Sequence, residues 1–282
     1  MSDHMKGLLI TLAGIIILSP DSLLVRIIDT DQWTLMFWRG IVSGLGIALL
    51  SAGFHRRNTL TAFRRVGWPG IVLASVFSAS TIFFITALHY TSVANTLILA
   101  GTAPVFAALL SRLVLAEHVH VRTWATMIVV MGAVALIVSG SFGSGSILGD
   151  VSALACAVMM AATFVITRRS KGHDMTPAMA LSGFFTACVV LPLASPFSIS
   201  SQVAILLLGL GILIAAAFAL LTIGPRYIPA PEVSMMMPLE TVFGTFLVWL
   251  ALGEVPSIHA VIGGAIVILA LAIHSALTLR NQ

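Results

Sequence analysis

One long apolar segment occurs twice in this 282-residue sequence, and that duplication limits the possible folds more than any other feature. Tyr90 to Glu117, YTSVANTLILAGTAPVFAALLSRLVLAE, lies without a gap over Tyr227 to Glu254, YIPAPEVSMMMPLETVFGTFLVWLALGE, 137 positions later. Seven of the 28 aligned residues are identical, including both tyrosines, Val105 and Val242, Phe106 and Phe243, and the closing glutamates. Each copy carries a proline near its middle, Pro104 in one and Pro238 in the other. A weaker echo precedes them, with Gly7–Arg26 over Gly149–Arg168. A fixed internal offset sets the architecture before any other signal. Here it divides the chain into halves, residues 1–140 and 141–282, of about five hydrophobic segments each.

What those segments are follows from their environment. The chain is 59% hydrophobic and 9% charged, with a mean hydropathy of +1.09; soluble domains run at about 45–50% and 25%. A bilayer core of ~30 Å takes ~20 apolar residues per helix. Backbone amides in lipid must be satisfied within their own segment, which favours helices. The apolar runs predict ten, over residues 6–28, 31–53, 69–89, 91–115, 120–139, 149–168, 176–194, 203–224, 230–252 and 256–278. The expected fold is therefore an all-α integral membrane protein. Cys156 and Cys188 both fall inside apolar runs and imply no disulfide framework. The first segment reads as a retained helix, because no small-residue cleavage site follows it.

Lysine and arginine in the short loops give the expected orientation. Arg56, Arg57, Arg64, Arg65, Arg122, Arg168, Arg169, Lys171 and Arg226 all fall in alternate loops, and Lys6 and Arg280 flank the ends. The opposite loops carry no basic residue. Both termini are thus expected in the cytoplasm, and the net charge of +4 reports topology rather than nucleic-acid binding. With five helices per half, the second half enters the membrane from the other side. Inverted repeats with a midplane site between them are the architecture of many secondary transporters.

Few residues on these helices carry chemistry. Asp21, Arg39 and Glu240 are the ionisable groups placed at hydrocarbon depth, where such groups are costly and call for a partner. Asp21–Arg39 and Glu240–Arg39 are the two candidate pairs, and each group is equally a candidate for touching substrate or a proton. Pro104 and Pro238 each remove a helical hydrogen bond and free a carbonyl, at Ala100 and Ser234. They are hinge candidates, with static kinks as the alternative. The stripes Gly7, Thr11, Gly14, Leu18, Ser22 and Ser152, Cys156, Met159, Thr163, Thr167 are suited either to close helix packing or to lining a cavity. Met237 and its neighbours Met235 and Met236, with Met159 and Met160, are flexible and polarizable, and suit varied apolar ligands as well as simple core filling. Glu117 and Glu254 read as caps of the helices that follow them.

The phrases TAPVFAALLSRLVLAE and PLETVFGTFLVWLALGE resemble the paired signature of EamA-type permeases in the drug/metabolite transporter superfamily. The resemblance covers essentially the whole chain and extends to bacterial exporters of aromatic amino acids; Ala116-Glu117 departs by one residue from the usual GE ending. It implies two inverted five-helix repeats and export of small metabolites by alternating access. A bacterial inner-membrane location would follow.

The expected activity is export of small amphipathic metabolites, aromatic or apolar amino acids first, through a cavity built from the first, third, fourth, sixth, eighth and ninth helices. The candidate substrate residues are Asp21, Arg39, Met159, Thr163, Ser234, Met237 and Glu240. Efflux of cationic lipophilic drugs is the alternative within transport, and a membrane-embedded lipid-modifying enzyme the alternative outside it. No HExxH, GxSxG, Walker GxxxxGK[ST] or CxxC motif is present, so no enzyme, cofactor or metal site is expected; His118 and His120 alone make a weak ligand set. With both repeats in one chain, a functional monomer is expected, with the lipid bilayer and the substrate as its partners.

Overall fold

The computed structural model describes residues 2–55, 59–91, 93–139, 146–253 and 257–280, and within them every regular element is helical. Arg56, Arg57, Glu254 and Pro256 lie outside the described residues, as does the side chain of Ser22. The first half holds α1 (Asp3–Leu18), α2 (Asp21–Ile27), α3 (Gln32–His55), α4 (Thr59–Arg65), α5 (Gly67–Tyr90), α6 (Val93–Ala100), α7 (Ala103–Leu115) and α8 (Val121–Val138). The second holds α9 (Ile147–Arg169), α10 (Thr176–Val190), α11 (Ser201–Ile223), a 3-10 turn (Gly224–Arg226), α12 (Ala230–Met236), α13 (Pro238–Leu252) and α14 (Ile258–Arg280).

Among the described residues, eight spans are long and apolar enough to cross a bilayer, which makes this a multi-pass membrane protein. Val121–Ile137 and Thr176–Val190 are equally apolar but shorter. The 15 residues of α10 rise only ~23 Å at 1.5 Å per residue, less than the hydrocarbon core.

Polar side chains start the helices where the apolar runs begin. Ser2, Ser146 and Ser200 each accept a backbone N–H from the first turn of α1, α9 and α11. Asp31 does the same for α3, accepting from Trp33 and Thr34 at 3.0 Å each. These bonds draw the Asp31 carboxyl below its usual 3.8, against a raising contribution from partial burial. At the other end of two spans, Ala116 (φ 53°) and Gly253 (φ 70°) close α7 and α13 in the left-handed conformation. These two residues are one repeat offset, 137 positions, apart.

Two glycine-lined contacts hold the centre together. α3 crosses α10 so closely that a Cβ on Gly183 would overlap the Gly40 carbonyl and come within 2.9 Å of Gly44 N and Cα. The Gly7–Thr11–Gly14 stripe of α1 packs on α11 and the 3-10 turn, with Gly14 against Leu221 and Ala217. Thr11 donates to its own helix, to Gly7 O at 2.8 Å. That stripe makes a helix interface, and of its described members only Leu18 reaches the cavity described below. Of the three-alanine face of α9, Ala153, Ala157 and Ala161 are all buried. Small residues bring backbones together where lipid supplies no hydrophobic drive.

Candidate substrate site at the helix breaks

Three helical spans are broken at the same level of the bundle. Pro20 stops α1 at Ser19 and starts α2, a break not anticipated above, where the short polar stretch at residues 19–22 interrupts one expected span. Gly101 and Thr102 separate α6 from α7, with Pro104 in the first turn of α7. Met237 separates α12 from α13, which Pro238 begins. Each proline lacks the N–H that a continuous helix needs and is accommodated as a helix start.

A cavity of about 200 Å³ lies where these breaks meet. Pro104, Pro238 and the carbonyl-bearing Ala100 line it, but the Ser234 carbonyl is not free as expected. It accepts from Met237 N at 3.2 Å, a shortened turn that absorbs the missing bond. The Ser234 hydroxyl also lines the cavity, and it is buried without a hydrogen-bond partner.

The wall is apolar, with Phe77, Phe84 and Phe218 as its aromatic members. Phe77 and Phe218 meet edge to face at 4.7 Å between centroids. Its neutral polar groups include Ser43, Thr81, Ser182 and Thr241, with Ser80, 3.6 Å from Cys156 Sγ, and Thr186, which donates to Ser78 at 3.0 Å.

Charge enters in two places. Arg39 grips Asp21 with both guanidinium nitrogens, Nη1–Oδ1 at 2.8 Å and Nη2–Oδ2 at 2.9 Å. Both side chains are largely buried, at 14% and 11% exposure. Of the two pairs weighed from the sequence, the structure forms Asp21–Arg39. Planar two-point contact of this kind is the strongest geometry an arginine makes with a carboxylate. Glu240 lines the same cavity from the first turn of α13, and among the described residues its carboxylate has neither a hydrogen bond nor an ion pair. The three formal charges sum to −1 when both carboxylates are ionised.

Asp21, Arg39, Ser234, Met237, Glu240, Pro104 and Pro238 therefore converge on one cavity. Met159 and Thr163 do not. Met160, one residue and 100° round the helix, takes the wall position instead. Thr163 donates to Met159 O at 2.9 Å and borders a separate void of about 10 Å³. The set of contributing helices also differs from expectation. α3 and α10 supply Arg39, Gly40, Ser43, Ser182 and Thr186, and Val134 of α8 reaches in. Gly40 of α3 both packs against Gly183 of α10 and lines the cavity.

Glu117 is corrected as well. It does not cap α8, whose N-cap residue is His120 and which has no side-chain cap. It pairs with Arg168, Nε–Oε1 at 2.9 Å, and Arg168 also reaches the Pro225 and Arg226 carbonyls at 3.4 Å. Among the described residues no three histidine, cysteine or acidic side chains are grouped as metal ligands.

Residues 5–139 and 147–276 each match the EamA-like transporter family. The chain is 26% identical over 241 residues to the pseudopaline exporter CntI of Pseudomonas aeruginosa, covering 84% of this chain and 83% of that protein. It is 27% identical over 183 residues to the uncharacterized transporter YdfC of Bacillus subtilis, 61% of this chain and 58% of that one. A solved crystal structure superposes with a TM-score of 0.85 at 18% identity, covering 99% of both chains, and so shares the fold.

Proposed function

This chain belongs to the EamA-like transporter family, and we propose that it is a secondary transporter exporting small amphipathic metabolites that carry an amine, aromatic and apolar amino acids first among them. One observation carries the reading. Glu240 lines a largely apolar cavity beside the closed Asp21–Arg39 pair, and its carboxylate has no hydrogen bond or ion pair among the described residues. A desolvated carboxylate without a partner takes up either a proton or a cation, and a substrate ammonium supplies the cation while its side chain meets Phe77, Phe84 and Phe218. Ser234 Oγ and Thr186 offer hydroxyls to the substrate's other end. The relative that exports pseudopaline supports the export of a small molecule.

In this reading ten spans form two inverted five-helix repeats, supported by the family's match to each half of the chain. Access alternates about the breaks at Pro104 and Pro238. The protein sits in the bacterial inner membrane with both termini cytoplasmic, and one chain suffices for transport because it holds both repeats. A cysteine at Ser200 should react with impermeant reagents from outside, and one at Thr59 only from inside; the reverse pattern overturns the orientation.

Efflux of lipophilic cations is a second reading, favoured by one specific feature. Arg39 is fully engaged by Asp21, so no fixed cation is left over for a substrate carboxylate. Proteoliposomes assayed with radiolabelled L-phenylalanine, other amino acids and tetraphenylphosphonium separate the two. Movement of L-phenylalanine with competition by apolar amino acids supports the first reading. Movement of tetraphenylphosphonium alone replaces it with the second.

A further inference from the structure

A second buried polar cluster lies away from the cavity, at the end of the bundle where α1 begins and α14 ends. His4 of α1, Glu232 of α12 and His274 of α14 converge there. His4 Nε2 stands 3.3 Å from Glu232 Oε2, and His274 Nε2 stands 3.9 Å from Glu232 Oε1. All three residues are buried, at 6%, 7% and 7% exposure. Thr126 of α8 holds the other ring nitrogen of His274 at 3.1 Å. Yet His4 Nε2, His274 Nε2 and Glu232 Oε2 have no aligned hydrogen bond. Buried polar atoms are nearly always paired, so three orphans facing one another form a functional candidate rather than a packing accident.

The charge balance of the cluster depends on one proton. With both imidazoles neutral it holds a lone buried carboxylate, a costly arrangement. One proton on either ring converts it to a neutral imidazolium–carboxylate pair at contact distance. Histidine is the side chain that exchanges a proton most readily in the physiological range.

No other described charge is free to do this work. Lys6 of α1 lies over the Tyr227 ring at 4.7 Å, and Asp3 is exposed. Arg226 of the 3-10 turn faces Asp174 at 4.0 Å, and Arg168 of α9 is held by Glu117. Arg122 of α8 reaches the Leu277 carbonyl. His118 and His120, just before α8, and Arg112 of α7 are exposed. α11 carries no charged residue, Glu240 of α13 faces the cavity, and His259 sits at the opposite end of α14.

We propose that His4, Glu232 and His274 form a proton-binding site that couples proton movement to turnover of the cavity. The proposal rests on the transport reading above. Its mechanical basis is α12, a seven-residue helix bounded by Pro229 and the Met237–Pro238 break. Glu232 is two residues from Ser234, and Ser234 and Met237 line the cavity. Protonated, the cluster clamps α12 to α1 and α14 and seals that end of the bundle. Deprotonated, Glu232 is stabilised by release to solvent, and α12 carries the cavity wall with it.

Two measurements test this. In the purified protein, ¹⁵N-histidine spectra should show the His4 and His274 rings changing protonation together, and Glu232→Gln should move both midpoints. Unmoved midpoints in Glu232→Gln overturn the site. In proteoliposomes, the ratio of pH-gradient-driven L-phenylalanine flux to gradient-free exchange should fall about tenfold in Glu232→Gln. His4→Gln, which keeps the carboxylate and removes one ring, should lower the same ratio; a wild-type ratio in both variants overturns coupling. If the wild-type protein exchanges no L-phenylalanine, the substrate reading fails, while the histidine titration still decides the proton site.

Discussion

Asp21→Asn and Glu240→Gln remove the same charge from the same cavity and should have opposite consequences. Asp21 is half of a two-point ion pair whose members are 11% and 14% exposed. Unit charges about 4 Å apart attract by about 4 kcal/mol at an effective dielectric of about 20. Desolvation cancels much of that in the intact pair, but removing one partner leaves Arg39 buried and uncompensated, a loss of about 3–5 kcal/mol. At about 2 °C per kcal/mol for a chain of this size, thermal unfolding in detergent should fall by about 6–10 °C. The double variant Asp21→Asn with Arg39→Gln should recover to within about 1 kcal/mol, since a neutral pair needs no compensation. Glu240 has no partner to abandon, so Glu240→Gln should leave the melting temperature unchanged or raise it. Transport of the amine-bearing substrate should nonetheless drop at least about tenfold, equivalent to ~1.4 kcal/mol in the limiting step. Fluorescence-detected size exclusion after heating reads the first effect, and proteoliposome flux the second. The reasoning is refuted if Glu240→Gln destabilises as much as Asp21→Asn and Arg39→Gln rescues it, for that would make Glu240 the strut.

Three further outcomes follow from local geometry. Ala116→Gly should raise the melting temperature, because an L-residue at φ 53° costs about 1–2 kcal/mol relative to glycine; no gain would mean that the turn relaxes around alanine. Gly183→Ala should cost about 1–3 kcal/mol by forcing α3 from α10, whereas Gly209→Ala, with nothing within 4 Å of the new methyl, should gain about 0.5–1 kcal/mol. The Asp31 carboxyl, held below 3.8 mainly by Thr34 and Trp33 bonds that outweigh its burial, contributes stability above that value and loses it as pH falls through the lowered one. Trp33 emission should therefore respond to acid below pH 3.8 in the wild type and not in Asp31→Asn.

The helices were legible because lipid imposes one rule on every span: each is an apolar run bounded by polar residues. Observed and expected ends differ by a few residues, and the breaks at Pro104 and Pro238 could be read from proline chemistry. The break at Pro20 was equally readable, since Ser19, Asp21 and Ser22 flank the proline inside the long first segment. The site was half legible. Depth alone singled out Asp21, Arg39 and Glu240 but could not say which carboxylate Arg39 would take. That depends on α2 starting afresh at Asp21 and turning its carboxylate toward α3. Met159 and Thr163 were displaced by helical phase, since a one-residue error rotates a side chain by 100°. The His4–Glu232–His274 cluster left no local signal. Its members sit at helix ends far apart in sequence, where each passes for an ordinary surface residue.

The glycine contact between α3 and α10 also decides which parts can move. Where two backbones touch with no side chain between them, neither sliding nor rotation is possible without separation, so the pair behaves as one solid body. Arg39, Ser182 and Thr186 all ride on that body. Any change of access must therefore displace the lighter pieces around it, the short helices α2, α6 and α12 that the breaks have cut loose. The Asp21–Arg39 pair ties one of these to the solid body. Glu240 and Ser234 sit across a break from each other, on α13 and α12. A substrate held by both would bridge that joint, and its departure would let the two segments swing independently.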